Sequence, residues 1–238
     1  MKPHPTTPLL VLKPMLELLI VALFVGTFIA QPFRIPSESM VPTLRVGDLL
    51  LADKQSFAPA GPLDRLLLPP TTPHRNDLAL FHYPADPSTT LVKRIIALPG
   101  DRLHLHHGRV WLNGAPLAEP FAVYTPSRFN TFRDEFPSLR EADPNLDPRW
   151  WATLRRTLTP SPGNPAELIV PPGHYFVLGD NRNDSEDSRY WGFVPAAALI
   201  GRPLLVYLSF AGPNPPAPQE PHTVAQRILR RLQARVLR

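Results

Sequence analysis

Three short stretches carry side chains that could do chemistry together. The first, residues 36–44 (PSESMVPTL), sets two serines at i and i+2 ahead of Met40, Pro42 and Thr43. It makes a poor helix and a poor hairpin loop, but it suits a hydroxyl held in one direction, and Ser39 is the candidate nucleophile. A serine hydroxyl needs a base, because its free pKa leaves almost no alkoxide near neutrality. The second stretch, residues 89–101 (TTLVKRIIALPGD), offers Lys93. Read as a strand, it puts Leu91, Lys93, Ile95 and Ala97 on one face and Val92, Arg94, Ile96 and Leu98 on the other. Burial between Leu91 and Ile95 disfavours an ammonium ion and turns a lysine into a base near neutral pH. The plain alternative is a lysine at a sheet edge, its stem packed and its amine in solvent. The residues alone leave both open.

The third stretch, residues 179–192 (GDNRNDSEDSRYWG), is polar and acidic. Counted from Asp180 as a calcium loop, it presents Arg182, Ser185 and Trp191 at positions 3, 6 and 12, and the pattern fails at each. A histidine base for Ser39 has little support among the eight histidines. Ser39 lacks the Gly-x-Ser-x-Gly elbow, and His174, the best placed, sits in ordinary strand sequence. There is no cysteine, so thiol nucleophiles, disulfides and thiolate metal sites are excluded. His104 and His106 share one strand face without an apparent third ligand, and read as surface histidines. No metal and no cofactor is expected.

Taken together, the three stretches resemble the type I signal peptidases, membrane-bound serine proteases that remove signal peptides from exported proteins. Residues 93–101 match that family's Lys-Arg-hydrophobic-x-x-x-Pro-Gly-Asp stretch, and residues 179–192 match its Gly-Asp-Asn-Arg…Ser-x-Asp-Ser-Arg-x-Trp-Gly pattern. One departure is Asn183-Asp184, where the order is often reversed. The resemblance implies that Ser39 attacks and Lys93 is the general base. It further implies that Ser185 hydrogen-bonds the lysine amine and that Asp187 and Arg189 form a supporting ion pair. The Ser37 hydroxyl would join the Ser39 N–H in holding the oxyanion, and Ile35, Met40, Leu44 and Val92 would line pockets for small residues at the −1 and −3 substrate positions. Implied partners are preproteins carrying signal peptides, and membrane lipid. The implied location is the bacterial plasma membrane, single-pass, with the catalytic domain on the extracytoplasmic side.

These stretches need elements to hold them. At 238 residues the chain suits one domain plus an anchor, and 33 prolines point to strands, turns and loops rather than long helices. The fold expected is mainly β: an antiparallel catalytic domain over 34–215 with an inserted β/loop subdomain at about 115–168, preceded by one transmembrane helix. Residues 1–13 read as a cytoplasmic tail. Residues 14–33, PMLELLIVALFVGTFIAQPF, read as the anchor, with Pro14 at the first helical position and Glu17 four residues after Lys13, close enough to pair. A cleavable signal peptide is disfavoured because a cut after Ala30 would place Phe28 where a small residue belongs. Lys2 and Lys13 flank one side of the anchor, Arg34 and Arg45 the other, so charge leaves its orientation open. Six residues separate Phe33 from Ser39, which keeps the hydroxyl within roughly 20 Å of the anchor's end.

Further strands are expected at about 49–53, 77–82, 173–181 and 203–210, with a hairpin turning near His107-Gly108 and a short helix around Trp150-Trp151. Residues 216–238 read as a basic amphipathic tail whose helix carries Val224, Ile228, Leu232 and Val236 on one stripe. Basic residues are otherwise spread out, which argues against nucleic acid as a partner. The rival to an enzyme is a membrane-anchored β-domain that binds exported chains without cutting them.

Overall fold

The computed structural model describes residues 8–24, 30–53, 56–57, 71–140, 142–158, 166–210 and 235–236. Helix α1 spans Pro8–Phe24 and contains Pro14 in its interior. The helix therefore starts earlier than expected: Pro8, not Pro14, takes the first-turn position where a missing N–H is harmless. Lys13 and Glu17 do meet, at 4.0 Å on the exposed surface. The C-terminal end of the expected anchor also differs. Residues 30–33 belong to strand β1 (Ala30–Arg34), which pairs with β2 (Asp48–Asp53), Phe33 lying opposite Leu50. Pro32 accounts for this, since it cannot donate within a helix but is tolerated on an edge strand, and β1 is the edge of its sheet. Among the described residues no helix is long and apolar enough to cross a membrane.

The remaining strands are β3 (Leu78–Tyr83), β4 (Asp86–Ala97), β5 (Arg102–His106), β6 (Arg109–Leu112), β7 (Ala115–Pro116), β8 (Leu168–Ile169), β9 (His174–Leu178), β10 (Val194–Pro195), β11 (Leu199–Ser209) and β12 (Arg235–Val236). Among the described residues the further α-helices are α2 (Thr131–Asp134), α3 (Pro148–Thr157) and α4 (Ser188–Trp191), with a 3-10 turn at Ala196–Ala198. The described strands form two sheets, ordered β1-β2-β11-β3-β4-β9-β10, with β12 also on β11, and β7-β6-β5-β8. Every pairing within them is antiparallel. The mainly β reading of the sequence is thus met, and the strands expected at 49–53, 77–82, 173–181 and 203–210 all form.

Strand β4 is the spine of the site. Alternation holds at Leu91 and Ile95, which pack toward the larger core, and at Val92, which packs toward the smaller one. It fails at Ile96, which joins Ile95 in the larger core. The register against β9 slips between Ile95 and Ala97, and the extra residue re-aims the side chain.

Residues 115–168 do not stand apart from the domain. Phe132, Phe136, Trp150 and Leu154 belong to the same core as Phe81, Ile95 and Phe176. Helix α3 forms there because Asp147 accepts from the Arg149 and Trp150 N–H groups and Pro148 opens the first turn. Its Trp150 indole then donates to the Arg189 carbonyl at 3.0 Å, so this segment braces the loop that carries Ser185. Gly192 is required at that contact: its φ is +95°, and a Cβ would lie 2.8 Å from the Trp150 ring.

At the C-terminus, Arg235 and Val236 are a strand and not the end of a helix, pairing with Val206 and Leu205. Here β11 meets β2 on one side only, because β3 pairs further back at Leu199 and Gly201. The open backbone edge takes β12. The rest of the expected amphipathic helix lies outside the described residues.

Candidate active site

Ser39 is placed by the turn that follows β1. The Met40 carbonyl accepts from Leu44 N–H at 2.9 Å and the Glu38 carbonyl from Val41 N–H at 3.0 Å, closing a compact coil around the serine. Met40 and Leu44 anchor this coil in the smaller core beside Ile35, Leu50 and Val206. Across from it, β4 brings in Lys93, 54 positions further along the chain. The Lys93 Nζ donates to Ser39 Oγ at 2.7 Å and to Ser185 Oγ at 3.1 Å. The three side chains are 9%, 4% and 8% exposed, so water is nearly excluded from the meeting point.

Burial sets the lysine's chemistry. Desolvation, assisted by the nearby Arg189 guanidinium, lowers the Lys93 pKa from 10.5 to about 8, against opposing pulls from Asp187, Glu186 and Asp180. A lysine in this state can accept a proton in mildly alkaline solution, and the sheet-edge alternative with its amine in solvent does not describe this residue, which is buried.

Ser185 is held by the loop after β9. Burial pushes the Asp187 carboxyl up, but the Arg189 guanidinium more than offsets this and leaves it below the usual range. Arg189 grips Asp187 with two hydrogen bonds of 2.8 Å and reaches the Arg182 carbonyl at 2.8 Å. Asp187 in turn accepts from Gly179 N–H at 3.1 Å, which ties the loop's two ends together. Gly179 allows the close approach: a Cβ there would collide with Ser185 Oγ and with the Ser39 carbonyl. That carbonyl accepts from Asn181 N–H at 3.0 Å. Ser37 Oγ lies 3.3 Å from Ser39 Oγ.

A second ionic group supports the same three stretches. Arg94 binds Asp180 through two hydrogen bonds, 2.8 and 2.6 Å, both residues buried. Thr43 donates to Asp180 at 2.5 Å, and Arg94 also reaches the Asn76 carbonyl at 2.7 Å. Sequence reasoning missed this group. Its signal was present in Arg94, a charge inside an apolar strand that needs a buried partner, and Asp180 was one of three unassigned acids of the third stretch, beside Asp184 and Glu186.

The expected pocket residues sit elsewhere than on the open cleft beside the dyad. That cleft, of about 540 Å³, is lined by Ser37, Ser39, Leu91, Lys93, Tyr83 and Trp191 among others, and by the acids Glu38, Asp86, Asp184 and Glu186. Ile35, Met40 and Leu44 are instead buried at 5% exposure or less in the core beneath Ser39, and Val92 packs against them. Leu91, on the opposite face of β4 from Val92, lines the cleft together with Thr89 and Lys93 of the same strand.

Residues 10–208 match the family described as signal peptidase, peptidase S26. The chain belongs to that family. It is 33% identical over 215 residues to the signal peptidase I of Pseudomonas aeruginosa, covering 85% of this chain and 73% of that protein. It is 32% identical over 222 residues to the signal peptidase I of Buchnera aphidicola subsp. Acyrthosiphon pisum, covering 78% and 70%. To the signal peptidase I of Aquifex aeolicus it is 29% identical over 241 residues, covering 89% of each chain. The match spans all three chemical stretches, so this member of the peptidase family carries Ser39, Lys93 and Ser185 within the matched region.

Proposed function

We propose that the chain is a membrane-anchored serine endopeptidase that cuts N-terminal signal peptides from exported preproteins after a small-x-small site. Ser39 is the nucleophile and Lys93 the general base. The observation that carries this reading is the 2.7 Å hydrogen bond between a desolvated lysine and the Ser39 hydroxyl.

Neutral Lys93 takes the Ser39 proton as Oγ attacks the carbonyl carbon of the last small residue of the signal peptide. The negative charge that develops on the carbonyl oxygen is met by the Ser39 N–H and the Ser37 hydroxyl, donors of the kind that contribute about 3 kcal/mol each. The lysinium then protonates the leaving amine, and an acyl-enzyme remains. Lys93, neutral again, activates a water that releases the signal peptide. Ser185 keeps Nζ aimed at Oγ throughout, and the Asp187–Arg189 pair keeps Ser185 in place.

Anchoring is part of the proposal. The described helix α1 exposes Leu12, Met15, Leu16, Leu18, Leu19 and Ile20, each more than half accessible, and such a surface belongs in lipid rather than water. The domain that follows would stand on the extracytoplasmic face of a bacterial plasma membrane, with the N-terminus inside.

The test is cleavage by the purified protein in detergent of a preprotein whose signal peptide ends Ala-x-Ala. Cleavage at that site by the native protein, absent in Ser39→Ala, is the expected result. Binding of preprotein without turnover by the native protein would instead favour a non-catalytic capture domain.

A further inference from the structure

The tip of the β5–β6 hairpin brings together side chains that are far apart in their sequence signal. His106 pairs with Arg109, so His107 and Gly108 are the two central residues of the turn, with φ of +50° and +74°. Both angles positive define a type I′ turn, and histidine enters the left-handed region more readily than most side chains. In this turn the rings of His106 and His107 lie side by side, their centroids 4.2 Å apart. Glu135, directly after α2, reaches both: its Oε2 is 2.9 Å from His106 Nδ1 and its Oε1 is 3.4 Å from His107 Nδ1.

The two segments are clamped before any ligand arrives. His107 N–H donates to Glu135 Oε1 at 3.0 Å, Gly108 N–H to the Asp134 carbonyl at 2.8 Å, and Leu105 N–H to the Phe136 carbonyl at 2.5 Å. One ligand atom from each of the three side chains falls within 4.8 Å of the others.

We propose that His106, His107 and Glu135 form a binding site for a divalent first-row transition ion, with Zn²⁺ the best fit. Two imidazoles and one carboxylate are the donor set such ions take, whereas Mg²⁺ and Ca²⁺ favour all-oxygen shells. Small side-chain rotations would bring the three donors to the distance of about 2.0–2.2 Å that zinc requires. Both rings and the carboxylate keep solvent access, at 56%, 73% and 30%, so water can complete the shell. In the metal-free protein the glutamate accepts from the ring it would share with the ion. The site lies apart from Ser39 and Lys93, and its role is to pin the tip of the second sheet to the segment after α2. The sequence pointed to His104 and His106 as neighbours on one strand face. The fold pairs His104 with Glu167 instead, at 3.8 Å.

The experiment uses the full-length protein in detergent, without a polyhistidine tag and stripped with a chelator. Titration with ZnCl2 at pH 7.5, followed by calorimetry, is expected to give one saturable site per chain and a rise in Tm of several degrees. MgCl2 should do neither. The His106→Ala/His107→Asn double variant keeps a turn-compatible residue at 107 and should keep the metal-free Tm while losing at least about tenfold in zinc affinity. Glu135→Gln retains an acceptor for the turn N–H and should also weaken binding. X-ray absorption at the zinc edge should show imidazole scattering that the double variant lacks. Absent saturable binding, equal stabilisation by Mg²⁺, or zinc affinity unchanged in the double variant would each overturn the site.

Discussion

Arg94 and Asp180 lie face to face behind the reacting groups, joined by two hydrogen bonds of 2.8 and 2.6 Å and sealed from water. They come from β4 and from the loop after β9, and the Thr43 hydroxyl brings in the turn that holds Ser39. The pair therefore fastens the three chemical stretches to one another. Removing one partner leaves a buried charge without compensation, which costs about 3–5 kcal/mol. Asp180→Asn is expected to lower Tm markedly and to cut activity more than any surface Asp→Asn substitution, as read by thermal unfolding and preprotein cleavage on the same sample. An unchanged Tm would mean the pair adds nothing to the fold.

Ser39→Ala and Lys93→Met each remove one half of the dyad. Each is expected to reduce kcat/KM for preprotein by at least about a thousandfold, and the double variant should lose little more, because the groups act as a unit. Circular dichroism matching the native protein would show that the loss is chemical. Substantial turnover in either single variant would eliminate this mechanism.

The pH dependence follows from the lysine. Only the neutral amine accepts a proton, so activity should climb with pH through an apparent pKa near 8, well below the ordinary 10.5. Stability carries the matching sign. Between about 8 and 10.5 the unfolded lysine still holds a proton that the folded one has released, so unfolding takes up a proton and stability rises with pH. Below 8 the fold bears the full cost of charging a buried amine, roughly 3 kcal/mol for a depression of this size. Lys93→Met should therefore be more stable than the native protein at pH 6 and lose the rise between 8 and 10.5. Denaturant titrations across pH in both proteins measure this directly.

Ser185→Ala deletes the 3.1 Å bond that aims Nζ but leaves the dyad intact. The expected effect is a fall in kcat of about 10–100-fold with KM nearly constant, since positioning acts on the chemical step. A shift of the loss into KM would instead mark Ser185 as a substrate contact.

Gly179→Ala probes the close approach of the same loop. Its Cβ would enter the space of Ser185 Oγ and the Ser39 carbonyl, two groups of the site at once. The variant should lose more activity than Ser185→Ala and also unfold at lower temperature. Equal kinetics in the two variants would show that the loop yields without disturbing Ser39.

Much of this protein is legible in its residue pattern, because period-two alternation and turn chemistry are local. The strands around 49–53, 77–82, 173–181 and 203–210 form, the hairpin turns at His107-Gly108, and Trp150 and Trp151 lie in a helix that Asp147 caps. Ser39 stood out from its own stretch, whereas Lys93 had a plain sheet-edge alternative and was preferred, like Ser185, only through the resemblance of the three stretches to the type I signal peptidases. Errors arose where one residue served two rules. Pro14 could begin a helix or lie within one, and Pro32 ended the apolar run as a helix while permitting it as an edge strand. Val236 fits a helical stripe, yet it meets an open edge of β11.

What the chain alone determined was which groups could react: a hydroxyl, an amine between apolar neighbours, and a polar loop to receive them. What tertiary structure decided was whether they meet. The 2.7 Å contact between Nζ and Oγ, the depressed lysine pKa, the Arg94–Asp180 bond and the Glu135 carboxylate between two histidines all join residues that are distant in sequence. Distance and burial are properties of packing, and no local pattern of side chains contains them.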